Sequence, residues 1–343
     1  MRSFISLTMK YSLIIALLGL VIVFSILKPG GFATLANAGS IMNDNAVLTI
    51  VALGIMIPLV LGQFDLSPGF VASLAVMLTA GFMSYDGLPW PLVLPAVLAI
   101  GAVIGLITGI LVGYVGLNSL IVTLGIGSAV SGLVLFYSGG QIIFQGIPLS
   151  FLTLGQTRLF GVVPLPFIYA LVVALILWFV LYQRPMGRRL YAIGASAEAA
   201  RLIGIDNKRY IVGAFVASSV LASLAGFVQV SRLGAGNPTS AESYLLPAFA
   251  AAFLGATSFR PGFYNVWGTF VAVYLVGTGT TGLFMLGANS YVQPIFNGAV
   301  LIIAVTAARF GEVRKVTGVV RAASERLKRD GQTAGTKTKT LPH

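Results

Sequence analysis

The chain has 343 residues, of which 57% are hydrophobic and 9% charged, with a net charge of +12. Soluble domains carry about 25% charged residues, so this composition excludes an ordinary soluble globular protein, and it is too apolar for a disordered one. The 41 glycines follow no G-X-Y period, which excludes collagen and suits closely packed membrane helices. With no cysteine there are no disulfides, thiolate metal sites or cysteine nucleophiles, and His343 is the only histidine.

Apolar runs long enough to cross a bilayer core fill most of the chain, and about ten can be read. In chain order they are Tyr11–Leu27, Asn45–Gly62, Ser67–Ser84, Pro91–Val115, Ser119–Tyr137, Pro164–Tyr182, Tyr210–Val230, Tyr244–Ser258, Gly262–Leu283 and Tyr291–Ala308. The fold class predicted is an all-α membrane protein. With a cytoplasmic N-terminus, all but Lys28, Arg158 and Arg232 of the 21 basic residues fall on the cytoplasmic side. That orientation puts both termini in the cytoplasm. It also assigns the positive charge to anionic membrane lipid or a cytoplasmic partner, with no need for nucleic acid. Arg2, Lys10, an apolar run and Ala36-Asn37-Ala38 also resemble a cleavable signal peptide. The run is long for that, and Lys28-Pro29 interrupts it, so a retained first span is preferred.

Between the second and third runs lies Gly62-Gln63-Phe64-Asp65-Leu66-Ser67-Pro68-Gly69. An ionisable residue here has two readings. In one, Ser67 caps the third helix, Pro68 takes its first position and Asp65 sits near the positive end of its dipole. In the other, a broken helix exposes Gln63, Asp65 and Ser67 to a water-filled path, where carboxylate, amide and hydroxyl groups suit sugar hydroxyls. Asn118, Ser119 and Thr123 open the fifth span and either line such a path or bond a neighbouring helix. The segment echoes faintly, since Leu61-Gly62 and Pro68-Gly69-Phe70 recur as Leu254-Gly255 and Pro261-Gly262-Phe263.

Ser138–Val163 and Ser231–Ser243 are outer segments long enough to meet a partner. Arg232 and Glu242 in the second are most simply solvated loop charges. The cytoplasmic loop Gln183–Arg209 carries a predicted short helix. Ser196 is its N-cap, Glu198 sits in its first turn, Arg201 lies within it and Gly204 ends it. Leu202, Ile203 and Ile205 need a surface to cover them, which points to a docked partner. The chain divides into a transmembrane domain, 1–310, containing the loop 183–209, and a basic cytoplasmic tail, 311–343, partly disordered, with a short helix at Arg321–Arg329.

No phosphate-binding G-x-x-x-x-G-K-[ST] loop, H-E-x-x-H or G-x-S-x-G motif is present. The nine acidic residues are scattered, with no acid/base pair and no proton relay. No catalytic residue, cofactor or metal site is therefore expected.

Several motifs carry a family resemblance. Gly62 to Gly69 resembles G-G-I-D-L-S-V-G, and Ser119 to Gly125 resembles P-F-I-V-T-L-G. Gly187-Arg188-Arg189-Leu190-Tyr191-Ala192-Ile193-Gly194 with Ala199 to Ile205 resembles G-R-x-x-Y-A-I-G and A-A-R-L-S-G-I. Ala250 to Ser258 resembles A-A-V-V-L-G-G-T-S. These are motifs of the membrane permease subunits of ABC importers for ribose and similar monosaccharides, and the match runs from about Asn43 to Ala308. Gln63 and Pro68 stand where that family has glycine and valine, Ser119 where it has proline, and Leu245 and Pro247 where acids are frequent.

The resemblance implies a helical permease of the vitamin B12-importer type with a pathway built by two copies or a copy and a homologue. It implies a separate cytoplasmic ATPase and a periplasmic or lipid-anchored solute-binding protein. It also maps the coupling element onto Ser196–Gly204, with Gly187, Arg188 and Arg189 leading in. A sugar, polyol or related small polar solute is implied. A branched-chain amino-acid permease and a self-sufficient carrier or channel are the rival readings, with a membrane enzyme more remote.

Overall fold

The computed structural model describes residues 10–307, which are almost wholly helical. Helix α1 (Ser12–Leu27) is followed by α2 (Leu35–Val60), α3 (Pro68–Ser84), α4 (Trp90–Gly113) and α5 (Ser119–Ser138). A short α6 (Leu149–Gln156) and an antiparallel hairpin of β1 (Arg158–Leu159) and β2 (Val163–Pro164) lead into α7 (Leu165–Trp178). A π-helical turn, Phe179–Gln183, prolongs α7 before α8 (Pro185–Ala195) and α9 (Ala197–Leu202). Then come α10 (Asn207–Leu233), a 3-10 turn at Glu242–Tyr244, α11 (Leu245–Gly255), α12 (Val266–Met285) and α13 (Val292–Ala307).

Each predicted apolar run coincides with a helix. Six are long and apolar enough to cross a bilayer: α2, α4, α5, α7 with its π turn, α10 and α12. Helices α1, α3 and α13 are apolar but shorter. Helix α2 starts at Leu35 rather than at Asn45, because Thr34 caps it by accepting from the Asn37 amide at 3.1 Å. The segment Ser138–Val163 is not simply a loop, since it holds α6 and the start of the hairpin. The tail 311–343 and the helix expected at Arg321–Arg329 lie outside the described residues.

Helix α2 is the centre of the fold, buried almost all round from Asn45 to Leu61. An apolar helix buried on every side has no lipid face, so its neighbours supply one. On α4, Val103, Ile107 and Ile110 are exposed; on α5, Ile121, Leu135 and Phe136 are. These are the surfaces that hydrocarbon would cover. Helix α4 packs more extensively on α10 than any other pair among the described helices. Gly101, Gly105, Gly109 and Gly113 form a stripe on α4 whose missing side chains let it lie against Ser219, Phe215, Val212 and Lys208 of α10. Small-residue stripes of this kind replace the hydrophobic drive that is absent between helices in lipid.

The 27 residues of α10 rise about 40 Å and set the two ends of the molecule. At its C-terminal end the segments Ser138–Val163 and Ser231–Ser243 join. Ile143 and Gly236 exchange backbone hydrogen bonds at 2.9 and 2.7 Å. At its N-terminal end lie α8 and α9, with the Asn207 side-chain Nδ2 donating to the Ala197 carbonyl at 2.6 Å.

Candidate translocation site and coupling face

Between α2 and α3 the chain is irregular from Gly62 to Ser67, and every backbone donor there needs a partner inside an apolar bundle. The Gln63 amide donates to the Pro58 carbonyl at 3.0 Å. The Phe64 amide donates to Ser119 Oγ and the Leu66 amide to Thr123 Oγ1, both at 3.1 Å. Asp65 Oδ1 accepts from the Ser67 amide at 3.0 Å and the Ser67 hydroxyl at 2.6 Å. Ser67 therefore occupies the N-cap position of α3, with Pro68 next, but its side chain does not cap. The Ser67 hydroxyl donates to Asp65 instead, which holds its oxygen toward that side chain rather than over the first turn of α3. Asp65 is fully buried beside Ser218, yet Asp65 Oδ2 and Ser218 Oγ fall short of hydrogen-bond geometry with any partner. Ser218 is well inside α10, and α3 then runs parallel to α10, with Ala72 and Val76 against Gly226. The break thus sits level with the interior of α10, not with its first turn.

The extended segment alternates. Gly62, Phe64 and Leu66 face a cavity of about 950 Å3, whereas Asp65 and Ser67 turn into the protein. Tyr191 and Gly194 of α8, Leu246, Phe249 and Phe253 of α11, Tyr264, and Leu301 and Val305 of α13 close the wall. It is apolar and aromatic, with Phe64 and Phe253 6.4 Å apart between ring centres. Of the predicted path residues, Gln63 is half-buried, and Asp65, Ser67 and Thr123 are buried. Asn118 is exposed and caps α5, accepting from Leu120 and Ile121. None of them belongs to the cavity wall. Phe64, Leu66, Phe249 and Phe253, which do, went unmarked in the sequence.

On the face carrying α8 and α9, Ser196 Oγ accepts from the Ala199 amide at 3.2 Å and caps α9. Glu198 lies in the first turn and Arg201 in the last. Gly204, with φ +83°, ends the helix in the left-handed region that glycine tolerates. The Ile205 amide reaches back to Ala200 and the Gly204 amide to Arg201, each at 3.0 Å, a Schellman closure. Leu202 and Ile203 are left 79% and 75% exposed, so the apolar tip of α9 has no cover among the described residues. Gly187 is buried against the Leu181 backbone, where no side chain fits. Arg188 is exposed, and Arg189 donates to the Tyr210 hydroxyl at 2.7 Å.

At the opposite end, Arg232 and Glu242 are not solvated loop charges. Arg232 pairs with Asp44 at 2.8 Å and donates to the Asn43 carbonyl, with only 12% of its side chain exposed. Glu242 Oε1 accepts from the Ser131 hydroxyl at 3.2 Å.

A membrane bundle broken at an interior level, with a cavity beside the break and an uncovered apolar helix tip, has the anatomy of a transport permease. The chain belongs to the family described as branched-chain amino acid transport system / permease component, which matches residues 37–305. It is 32% identical over 296 residues to the D-allose transport system permease protein of Escherichia coli, covering 86% of this chain and 90% of that one. It is 35% identical over 287 residues to the ribose import permease protein of Bacillus subtilis, covering 83% and 88%. It is 32% identical over 268 residues to the autoinducer 2 import system permease protein of Photorhabdus laumondii, covering 77% and 80%. No solved structure matches the chain. The protein is thus a multi-pass permease of the cell membrane.

Proposed function

We propose that this chain is the membrane subunit of an ATP-driven importer, located in the bacterial inner membrane, that moves a monosaccharide or related small polar solute into the cytoplasm. The observation that carries this reading is the aromatic cavity beside the broken segment, walled in part by α8. Ring faces suit the C–H faces of sugars, and among the described residues the wall holds no charged group to bind an amino acid's ammonium or carboxylate. The relatives named for ribose, D-allose and autoinducer 2 support the same solute class.

In this reading about ten helices span the bilayer in the vitamin B12-importer arrangement, both termini are cytoplasmic, and the break near Asp65 lies at depth. Residues 1–310 form the permease domain and 311–343 a cytoplasmic tail. A separate ATPase docks on α9, meeting Glu198, Arg201, Leu202 and Ile203. A solute-binding protein meets the outer end formed around Arg232 and Glu242. A second permease copy or homologue completes the pathway. Closure of the ATPases presses on Ser196–Gly204 through Gly187, Arg188 and Arg189 and shifts the bundle between outward and inward access, which requires the ATPase to bind the two states with different affinity. A weakly binding wall lets solute pass without being trapped.

The test is reconstitution. Copurified ATPase and binding protein should support ATP-dependent uptake that ribose-like sugars compete for and leucine does not. Uptake by the purified chain alone, without ATP, would overturn the proposal.

A further inference from the structure

Phe259 has a φ of +58°, a left-handed conformation that a bulky residue adopts only when its surroundings hold it there. The start of α1 holds it. The Phe259 amide and the Ser258 hydroxyl both donate to the Lys10 carbonyl at 2.7 Å, and the Tyr11 ring meets Phe259 edge-on at 6.0 Å. The turn aims the next residue, Arg260, at three rings: Tyr182 at 5.0 Å, Tyr191 at 5.9 Å and Phe263 at 6.0 Å. Arg260 and Arg188 then share one recess of about 360 Å3, walled by Leu181, Tyr182, Tyr191 and Phe263.

Two guanidinium groups in one recess repel each other, and neither has a carboxylate partner among the described residues. With five N–H donors, the Arg260 guanidinium can engage the Tyr182 hydroxyl beside it and still offer donors to an anion. Arg184, stacked 4.8 Å over Phe179, adds positive charge nearby. Below the recess, Val172, Leu175, Ile176 and Phe179 form an exposed apolar stripe at helical spacing along α7, leading up to Tyr182.

We infer that this recess binds the phosphate headgroup of an anionic membrane lipid, with its acyl chains lying along the α7 stripe. A free phosphate ion shares the headgroup chemistry but has no use for the stripe. Aromatic and arginine side chains at a span end, with a basic pocket above a lipid-facing groove, are the elements of such a site. The inference rests on reading α7 as a membrane span and is independent of the solute carried.

The experiment is native mass spectrometry of the full-length chain in detergent, titrated with dioleoyl phosphatidylglycerol, dioleoyl phosphatidylcholine or inorganic phosphate. Wild type should bind phosphatidylglycerol at least about tenfold more tightly than phosphatidylcholine. Arg260→Gln should abolish that preference while leaving phosphatidylcholine binding unchanged, and Arg260→Lys, which keeps the charge, should retain part of it. Equal binding of the two lipids by wild type, which needs no variant, overturns the proposal. So does undiminished selectivity in Arg260→Gln, or displacement of phosphatidylglycerol by equimolar inorganic phosphate. The leaflet is checked separately. The chain has no cysteine, so Arg260→Cys can be labelled by an impermeant maleimide in oriented vesicles. Labelling from the extracellular face would overturn the membrane orientation and leave headgroup selectivity untouched.

Discussion

The Tyr191 hydroxyl donates to the backbone carbonyl of Tyr264 at 2.7 Å, tying α8 to the turn between α11 and α12. The Tyr264 ring in turn meets Phe253 edge-on at 5.7 Å, and Phe253 faces Phe64 across the cavity. Push on α8 and α9 therefore has a packed route to the cavity wall. Tyr191→Phe removes only the hydroxyl. Losing one such bond costs about 0.5–1.5 kcal/mol, so coupling should weaken roughly two- to tenfold. We expect more ATP to be hydrolysed per solute moved than in wild type, measured in reconstituted vesicles with the binding protein present. Unchanged stoichiometry of hydrolysis to uptake would remove Tyr191 from the coupling route.

The same hydroxyl sets a pH dependence. Burial raises its pKa well above the ordinary tyrosine value of about 10, the neighbouring Tyr182 adds to the rise and Arg260 opposes it. A raised folded-state pKa means that the group's contribution to stability is complete below the unfolded value. It is lost as pH climbs from there through the folded value. The melting-temperature difference between wild type and Tyr191→Phe should thus stay constant below about pH 10 and shrink above it. Thermal denaturation in detergent checks this, and a difference that stays flat to about pH 11 contradicts it.

Thr123→Val keeps the shape of the side chain and deletes the acceptor for the Leu66 amide. A buried donor left unpaired costs about 1–3 kcal/mol, so the melting temperature should drop, while Thr123→Ser should restore it. Equal melting of the valine and serine variants would mean that water or another group satisfies Leu66. Ser119→Ala probes the neighbouring bond to Phe64 by the same logic.

How much of this was legible from the residues differs by level. Helix positions were readable because a bilayer-length apolar run has few other ways to satisfy its backbone. The start of α2 was read late because Asn37, Ser40, Asn43 and Asp44 look like loop. Asn37 in fact bonds the Phe32 carbonyl, and Asp44 pairs with Arg232 from the far end of α10. The cap of α9 was legible because Ser196 and Gly204 act within one local segment. The cavity wall was not, since Phe64 and Phe253 come together only through tertiary packing. An apolar wall also has no signature against an apolar background. The one available cue was alternation through Gly62–Leu66, which marks Phe64 as facing opposite to Asp65.

Leu202 and Ile203 offer a separate test of docking. Both are exposed, so Leu202→Ser with Ile203→Ser should leave the stability of the isolated chain within about 0.5 kcal/mol of wild type. If a partner covers them, each lost burial weakens the complex by about 1.5–3 kcal/mol, more than tenfold in affinity per residue. Pull-down of the cognate ATPase with wild-type and doubly substituted chains measures this. Equal retention would locate the ATPase contact elsewhere.

Phe64 distinguishes the cavity from the coupling route, because it lines the first and ends the second. Phe64→Ala widens the wall and removes the ring facing Phe253, and Phe64→Trp narrows the space by the added ring. Both keep the backbone bond to Ser119, so the broken segment should stay in place. A passage predicts opposite effects on solutes of different size. The tryptophan variant should slow a hexose more than a pentose, and the alanine variant should relax that discrimination. A methylene-sized change in a pocket discriminates by about 1–3 kcal/mol, so the rate ratio of the two sugars should move by at least about tenfold. ATP hydrolysis stimulated by the empty binding protein should stay near the wild-type rate in both variants. If the ratio of hexose to pentose uptake is the same in wild type, Phe64→Ala and Phe64→Trp, solute does not pass this wall.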